Sequence, residues 1–428
     1  MKKLFTSFFA LLFCAMVAPA QLTLDSCLAM AERNYPLIHK YGLVERSQAL
    51  DLSDINKGWL PRFELYGQAT VQNVVPTFPA ALEDMLAQMG RDIRGLGKEQ
   101  YKIGLDLNQT VWDGGASKNR RRIVKADSEQ NRAALDVELY AIRERVENLF
   151  FGILLLDSQI ESAEENLDLL GANLRRIKAM GSGGTAMQAD ADMVEAQVLG
   201  TRQQISEAKA ARKGYADALG IFIGESIGER TLVMPKAVRP ISSDDSARPE
   251  LRLFDARIKA NDARRRSVDV ATMPKIGLFA QAYYGYPGFN YFEGMMNRDL
   301  SFNVLAGVKI SWSIDAFYTR SNSRRKLDLA DESVAADRET FLFNNGLAAA
   351  TQTKVIDGLE DVMTDDSRIV ELRAKVRRAA ESQLDNGIID ATALLTKITD
   401  EKVARLNAAY HRIQYVQAVY KLKYTLNR

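Results

Sequence analysis

Two cysteines and two histidines stand among 428 residues, too few for a disulfide framework or for a metal centre built on soft ligands. His39 and His411 lie far apart, with no Cys or carboxylate at ligand spacing, so no metal site is expected. A Gly-rich phosphate loop, a Gly-x-Ser-x-Gly elbow and paired catalytic carboxylates are all missing from the sequence. The chain therefore reads as a non-enzyme that needs no cofactor. Past the N-terminus, no apolar run reaches the roughly 18 residues that a membrane helix needs. An excess of one charge is missing too. Lys and Arg total 57 against 55 Asp and Glu, and removing Lys2 and Lys3 with a leader brings this to 55 against 55. That balance argues against nucleic acid as a partner.

The leader itself is legible. Lys2 and Lys3, an apolar stretch from Leu4 to Val17, and Ala18-Pro19-Ala20 read as a secretory signal peptide over residues 1–20. Phe13 before Cys14 argues against a lipoprotein site, and cleavage would leave Cys27 alone. An exported chain with no apolar helix can enter a membrane only through strands.

What the chain does have is a copy of itself. Pro36 and Pro61 stand 25 residues apart, as do Pro249 and Pro274, the two pairs being offset by 213. Gly104 matches Gly307 and Gly184 matches Gly387, each at an offset of 203. The difference of ten residues falls in a longer first loop, 73–99, which carries a helix-like stretch from Pro79 to Gly90. The first repeat spans 21–223, with a helix over 22–57, strands over 59–72 and 100–112, and a helical hairpin over 116–223. A linker follows over 224–248. The second repeat spans 249–428, with a helix over 250–272, strands over 274–285 and 301–314, and a hairpin over 319–424. Two strands cannot close a core by themselves, so duplication of such a unit points to an assembly.

All four strand segments alternate. Phe63, Leu65, Gly67, Ala69 and Val71 oppose Glu64, Tyr66, Gln68 and Thr70, and Ile103, Leu105 and Leu107 oppose Lys102, Gly104, Asp106 and Asn108. In the second repeat Ile276, Leu278, Ala280 and Ala282 oppose Lys275, Gly277, Phe279 and Gln281, and Phe302, Val304, Ala306, Val308 and Ile310 oppose Ser301, Asn303, Leu305, Gly307, Lys309 and Ser311. About ten residues of alternation suits an outer-membrane strand, although a half-buried soluble sheet has the same pattern. Trp59, Trp112 and Trp312 tilt the reading. Each stands at the helix-proximal end of a strand, and a membrane interface favours Trp at one level. Tyr283, Tyr284, Tyr286, Tyr291 and Phe292 are candidates for the opposite aromatic belt.

The outgoing helix from Ala116 to Met180 is about 100 Å long at about 1.5 Å per residue. Its return partner is shorter, so the short helices before each strand pair are needed to complete a four-helix, coiled-coil-like unit. Four membrane strands leave two open edges, which hydrocarbon does not tolerate. Two chains would give an eight-stranded barrel filled by side chains, whereas three give twelve strands and room for water. The fold class expected is therefore a mixed α/β membrane protein in which three chains complete one barrel and long antiparallel helices pack in coiled-coil-like units beside it.

Four motifs carry a family resemblance. The opening Leu22-Thr23-Leu24-Asp25-Ser26-Cys27-Leu28-Ala29-Met30-Ala31-Glu32-Arg33-Asn34-Tyr35-Pro36, then Trp59-Leu60-Pro61, Val111-Trp112-Asp113-Gly114-Gly115 and Arg248-Pro249-Glu250-Leu251 together resemble the TolC family of outer-membrane channels. The resemblance implies a homotrimer in outer-membrane lipid that extends across the periplasm. It also implies docking to a periplasmic adaptor (membrane fusion) protein and an inner-membrane pump of RND or ABC type. The function implied is the passive exit duct of an efflux pump for drugs or toxic compounds. A type I protein secretion duct, or a periplasmic scaffold with no pore, are the alternatives.

In that family the hairpin turns form the gate and the adaptor contact. Here they are Gly181 to Thr185 and Asp385 to Asp390, which makes Gly181, Gly184, Asp385, Gly387 and Asp390 the candidates. The family's aspartate ring beyond the second turn falls on Ala393 and Thr396, so it does not carry over. Asp385 and Asp390 can form an acidic collar instead, or can be ordinary turn and N-cap residues.

Overall fold

The computed structural model describes residues 22–90, 95–183, 187–240 and 248–427. In chain order the elements are α1 (Leu24–Asn34), α2 (His39–Lys57), β1 (Arg62–Val71), α3 (Ala80–Gln88), β2 (Glu99–Trp112), α4 (Ala116–Ser182), α5 (Gln188–Ile223), α6 (Pro249–Val270), β3 (Lys275–Tyr286), α7 (Tyr291–Asn297), β4 (Ser301–Ser311), α8 (Ala316–Asp385) and α9 (Ala391–Leu426). The signal peptide and Gly184 lie outside the described residues. Among the described residues no helix is long and apolar enough to cross a membrane.

The described residues fall into two compact units, and each draws on both sequence halves. One draws on the described residues up to Gly42, within Ala133–Leu253 and from Asp337 onward, and the other on those within Leu43–Arg132 and Phe254–Ala336. The first is wholly helical apart from one bridge between Leu22 and Leu232. Its α1 starts from a reciprocal cap, with the Ser26 N–H donating to Thr23 Oγ1 at 3.3 Å and the Thr23 N–H to Ser26 Oγ at 3.1 Å. The single helix expected over 22–57 is instead split. Tyr35 precedes Pro36 and is held extended at ψ 129°, because the proline ring disfavours helical backbone in the residue before it. A 3₁₀ turn over Pro36–Ile38 then leads into α2.

Two clusters bury the apolar stripes of this unit. In one, Leu24 and Cys27 pack with Val146, Phe150 and Phe151 of α4 and Leu219 of α5. The other joins both hairpins: Leu170 and Ile177 of α4, Val194 of α5, Leu384 of α8, and Leu394 and Ile398 of α9. Charged residues fill the remaining faces, as the 3.6-residue period requires, although Glu147 and Glu401 are buried.

The second unit holds the sheet, in the order β1-β2-β3-β4 with every pair antiparallel. Helix pairing beside it is ionic. Arg264 meets Asp127 at 2.8 Å and Lys259 meets Glu129 at 2.7 Å. Asp269 accepts from Arg320 at 2.8 Å and from Arg324 at 2.7 Å.

Candidate functional site

Register gives the sheet two chemically different faces, because residues directly opposite in an antiparallel pair share a side. On one side Leu65 faces Leu105, Leu105 faces Ala282 and Ala282 faces Val304. The next row runs Gly67, Ile103, Tyr284 and Phe302. This apolar face is bare: Leu65 is 74% exposed, Val304 58% and Ile310 70%. The other side carries Glu64, Asp106, Gln281 and Leu305 in one row and Tyr66, Gly104, Tyr283 and Asn303 in the next, so it is polar but for Leu305. Within the sheet, β1 and β4 each pair on one side only.

The three tryptophans collect at the helix-proximal end of this sheet. Trp112 closes β2 opposite Ile276, beyond an irregularity in register between Thr110 and Trp112. That bulge inserts Val111 and so brings Trp112 onto the apolar side, since one extra residue reverses the alternation. Trp312 follows β4, and its indole N–H donates to the Thr272 carbonyl at 2.9 Å. Trp59 precedes β1, and its carbonyl accepts from the Gln109 side chain.

At the other end, the five aromatics expected as one belt divide. Tyr284, Tyr291 and Phe292 are exposed, but Tyr283 and Tyr286 are buried. Tyr286 Oη accepts from the Gly97 N–H at 2.6 Å and donates to the Gly294 carbonyl at 3.1 Å. It anchors the loops and leaves the belt to the other three.

Asp113 is the hinge piece after β2. Its carboxylate accepts from the Gly115 N–H at 2.9 Å and the Ser117 N–H at 2.6 Å, capping α4. Burial pushes its pKa up, but the Ser117 and Gly115 hydrogen bonds outweigh it and hold the carboxyl below its usual range. Gly114 and Gly115 adopt φ of 70° and 91°, a region closed to most side chains.

In the helical unit, the two turns are built differently. Gly181 lies exposed in the last turn of α4, and α5 begins where the Met187 N–H meets Asp190 Oδ2 at 3.0 Å. The second turn is a helix-ending Gly motif. Gly387 has φ 68°, its N–H donates to the Leu384 carbonyl, and the Ile388 N–H to the Gln383 carbonyl, both at 2.9 Å. Asp390 caps α9 through the Ala393 N–H at 2.8 Å, and Asp385 pairs with Arg176 at 3.3 Å. Both aspartates of the collar idea thus have local partners within one chain.

Two buried charge sites were not read from the sequence. Glu401 is 4% exposed and accepts from Arg377 and, at 2.8 Å, from Arg405. Burial pushes its carboxyl up, and the two guanidinium partners more than reverse that. Arg248, one residue before Pro249, forks onto Glu250 at 2.6 and 3.0 Å and donates to the Tyr424 carbonyl at 2.7 Å. Its guanidinium also lies 4.6 Å from the Tyr140 ring centre, a cation–π contact. The only sequence signal for it was the Arg-Pro-Glu motif, since Tyr140 and Tyr424 come from elsewhere in the chain. Among the described residues no group of three or more His, Cys, Asp or Glu side chains is placed to hold a metal.

A chain with this sheet and these helices has the architecture of outer-membrane channels. Residues 54–224 match the sequence profile of the Outer membrane efflux protein family. VceC of Vibrio cholerae, an outer membrane protein, is 10% identical, with 94% of this chain and 95% of that one covered at a TM-score of 0.66. The CmeC outer membrane channel of Campylobacter jejuni is 12% identical, covering 94% and 85% at 0.66. The open-state MtrE outer membrane channel of Neisseria gonorrhoeae is 14% identical, covering 94% and 88% at 0.66. A search among curated proteins gave no match. The resemblance to the TolC family drawn from the four motifs is borne out, and the mixed fold with four antiparallel strands is shared with these channels.

Proposed function

We propose that the chain is the outer-membrane exit duct of a tripartite efflux pump, passively conducting small molecules across periplasm and outer membrane. The observation that carries this reading is the sheet: one bare apolar face, one polar face and two edges that pair on one side only. Unsatisfied edge groups in hydrocarbon cost several kcal/mol each, so further copies of the chain must close the sheet. Three copies supply twelve strands and a water-filled lumen. The family match and the channel folds favour the same reading. On it, Trp59, Trp112 and Trp312 mark the membrane–water interface. The turns carrying Gly181, Gly184, Asp385, Gly387 and Asp390 then form the periplasmic gate and meet an adaptor protein, which links the duct to an inner-membrane pump.

Purified protein in a planar bilayer tests this. Discrete, long-lived conductance steps from a detergent-extracted trimer are expected. A soluble monomer that never inserts would overturn the channel in favour of a periplasmic scaffold.

A further inference from the structure

Lys102 occupies a prepared position on the polar face of the sheet. Its ammonium lies 5.7 Å from the centre of the Tyr66 ring and 5.6 Å from that of Tyr283. Both rings are held in place. Tyr66 Oη accepts from Gln281 Nε2 at 3.0 Å, and Tyr283 Oη donates to the Pro287 carbonyl at 3.1 Å. Two glycines make the room. A Cβ on Gly104 would stand 2.8 Å from both tyrosines, and one on Gly285, directly opposite Lys102, would stand 2.6 Å from the lysine Cβ.

No carboxylate forms an ion pair with this cation among the described residues. The carboxylates of its face, Glu64 and Asp106, sit opposite one another, and Asp106 is four residues along β2. That is about 13 Å from backbone to backbone at strand rise, and the Asp106 carboxylate is engaged by the Gln281 side chain at 2.9 Å. The polar face as a whole carries four cations, Arg62, Lys102, Lys275 and Lys309, against those two carboxylates.

We propose that Lys102, set between Tyr66 and Tyr283, is the specificity-determining charge of the duct, favouring anionic permeants. The inference rests on the channel reading, in which the polar face lines the lumen. Every copy then contributes one such lysine at one level of the pore. A ring of fixed cations selects anions, and a cation paired with π-faces in place of a carboxylate keeps its field available to the permeant.

The test is the reversal potential of single channels in a potassium chloride gradient. Wild type should favour chloride. Lys102→Gln, which removes one charge from every copy, should lower the chloride-to-potassium permeability ratio by at least about fivefold, the weight of a single charge at contact distance in water, and Lys102→Arg should preserve it. Gln68 faces Lys102 across β1 and β2, so Gln68→Glu should lower the ratio with Lys102 intact. This second variant decides the matter even where Lys102→Gln does not assemble. Conducting channels whose ratio is unmoved by either change overturn the inference and leave the duct standing. A wild type that never conducts overturns both.

Discussion

The sheet and the helical hairpins handle apolar surface in opposite ways. In the helical unit, Phe150 and Phe151 are fully buried among other apolar side chains. In the sheet, Phe63, Leu65 and Ile310 lie open while Tyr283, on the polar side, is buried. One chain therefore follows two rules, and on the proposed channel reading the difference reflects two solvents. An amphipathic helix that buries its stripe has solved its own contact with water. A sheet with one bare apolar face has not, and lipid is the medium in which that face costs nothing.

The comparison can be broken from the helical side first. Phe150→Ala should cost about 3–5 kcal/mol, since a buried aromatic leaves both lost transfer energy and a cavity. Thermal unfolding of the helices, followed by circular dichroism, measures it, and a loss below about 1 kcal/mol would mean that this cluster is not a core.

The matching change in the sheet is Val304→Arg. On an exposed position of a soluble protein it would shift stability by about 0.5 kcal/mol or less. Facing a bilayer midplane, it should cost about 2–4 kcal/mol. The readout is the fraction of chain that inserts into vesicles as a heat-modifiable oligomer. Normal insertion would remove the lipid assignment of that face.

A pH comparison separates the units further. Glu147 of α4 is buried, and burial, only partly offset by Arg143, pushes its carboxyl up to about 8. A folded-state value above the unfolded one means that the folded chain holds the extra proton. Stability is thus lost as pH rises from about 4.5, the ordinary value, to about 8. Glu147→Gln should flatten that slope and add about 1–3 kcal/mol at pH 8, with little effect at pH 4. Melting temperatures at the two pH values check it, and an identical slope in both proteins would exclude Glu147 as its source.

The smallest effect is expected at the second turn. Asp390→Ala removes the α9 cap and should cost about 1 kcal/mol, with Asp390→Asn nearly neutral. If Asp390 instead lines a charged collar, both variants should weaken block of the channel by divalent cations added on the side of the turns. Conductance with and without magnesium distinguishes the cap from the collar.

Much of this architecture was legible because its periods are local. Alternation of two marked the strand faces, and a period near 3.6 marked the long helices. Proline spacing exposed the duplication. The break at Tyr35-Pro36 was legible in principle, because a residue before proline resists helical backbone, but the apolar spacing on either side masked it. Tyr286 was misassigned to the outer belt for a different reason. Its burial depends on Gly97 and Gly294, which reach it only through the loops.

The sequence by itself determined the class of protein: a strand with an apolar and a polar face carries that division wherever it pairs, and a helix carries its stripe. Tertiary structure alone decided the rest. Pairing order, the bulge that turns Trp112 onto the apolar face, the tyrosines around Lys102 and the ring beside Arg248 all join residues distant in the chain. The reason is physical: a slip of one residue in register reverses every side chain of a strand, and the cost of closing such long loops grows only slowly with their length. Composition and spacing do not specify which distant partners meet. The packed sheet and bundle do.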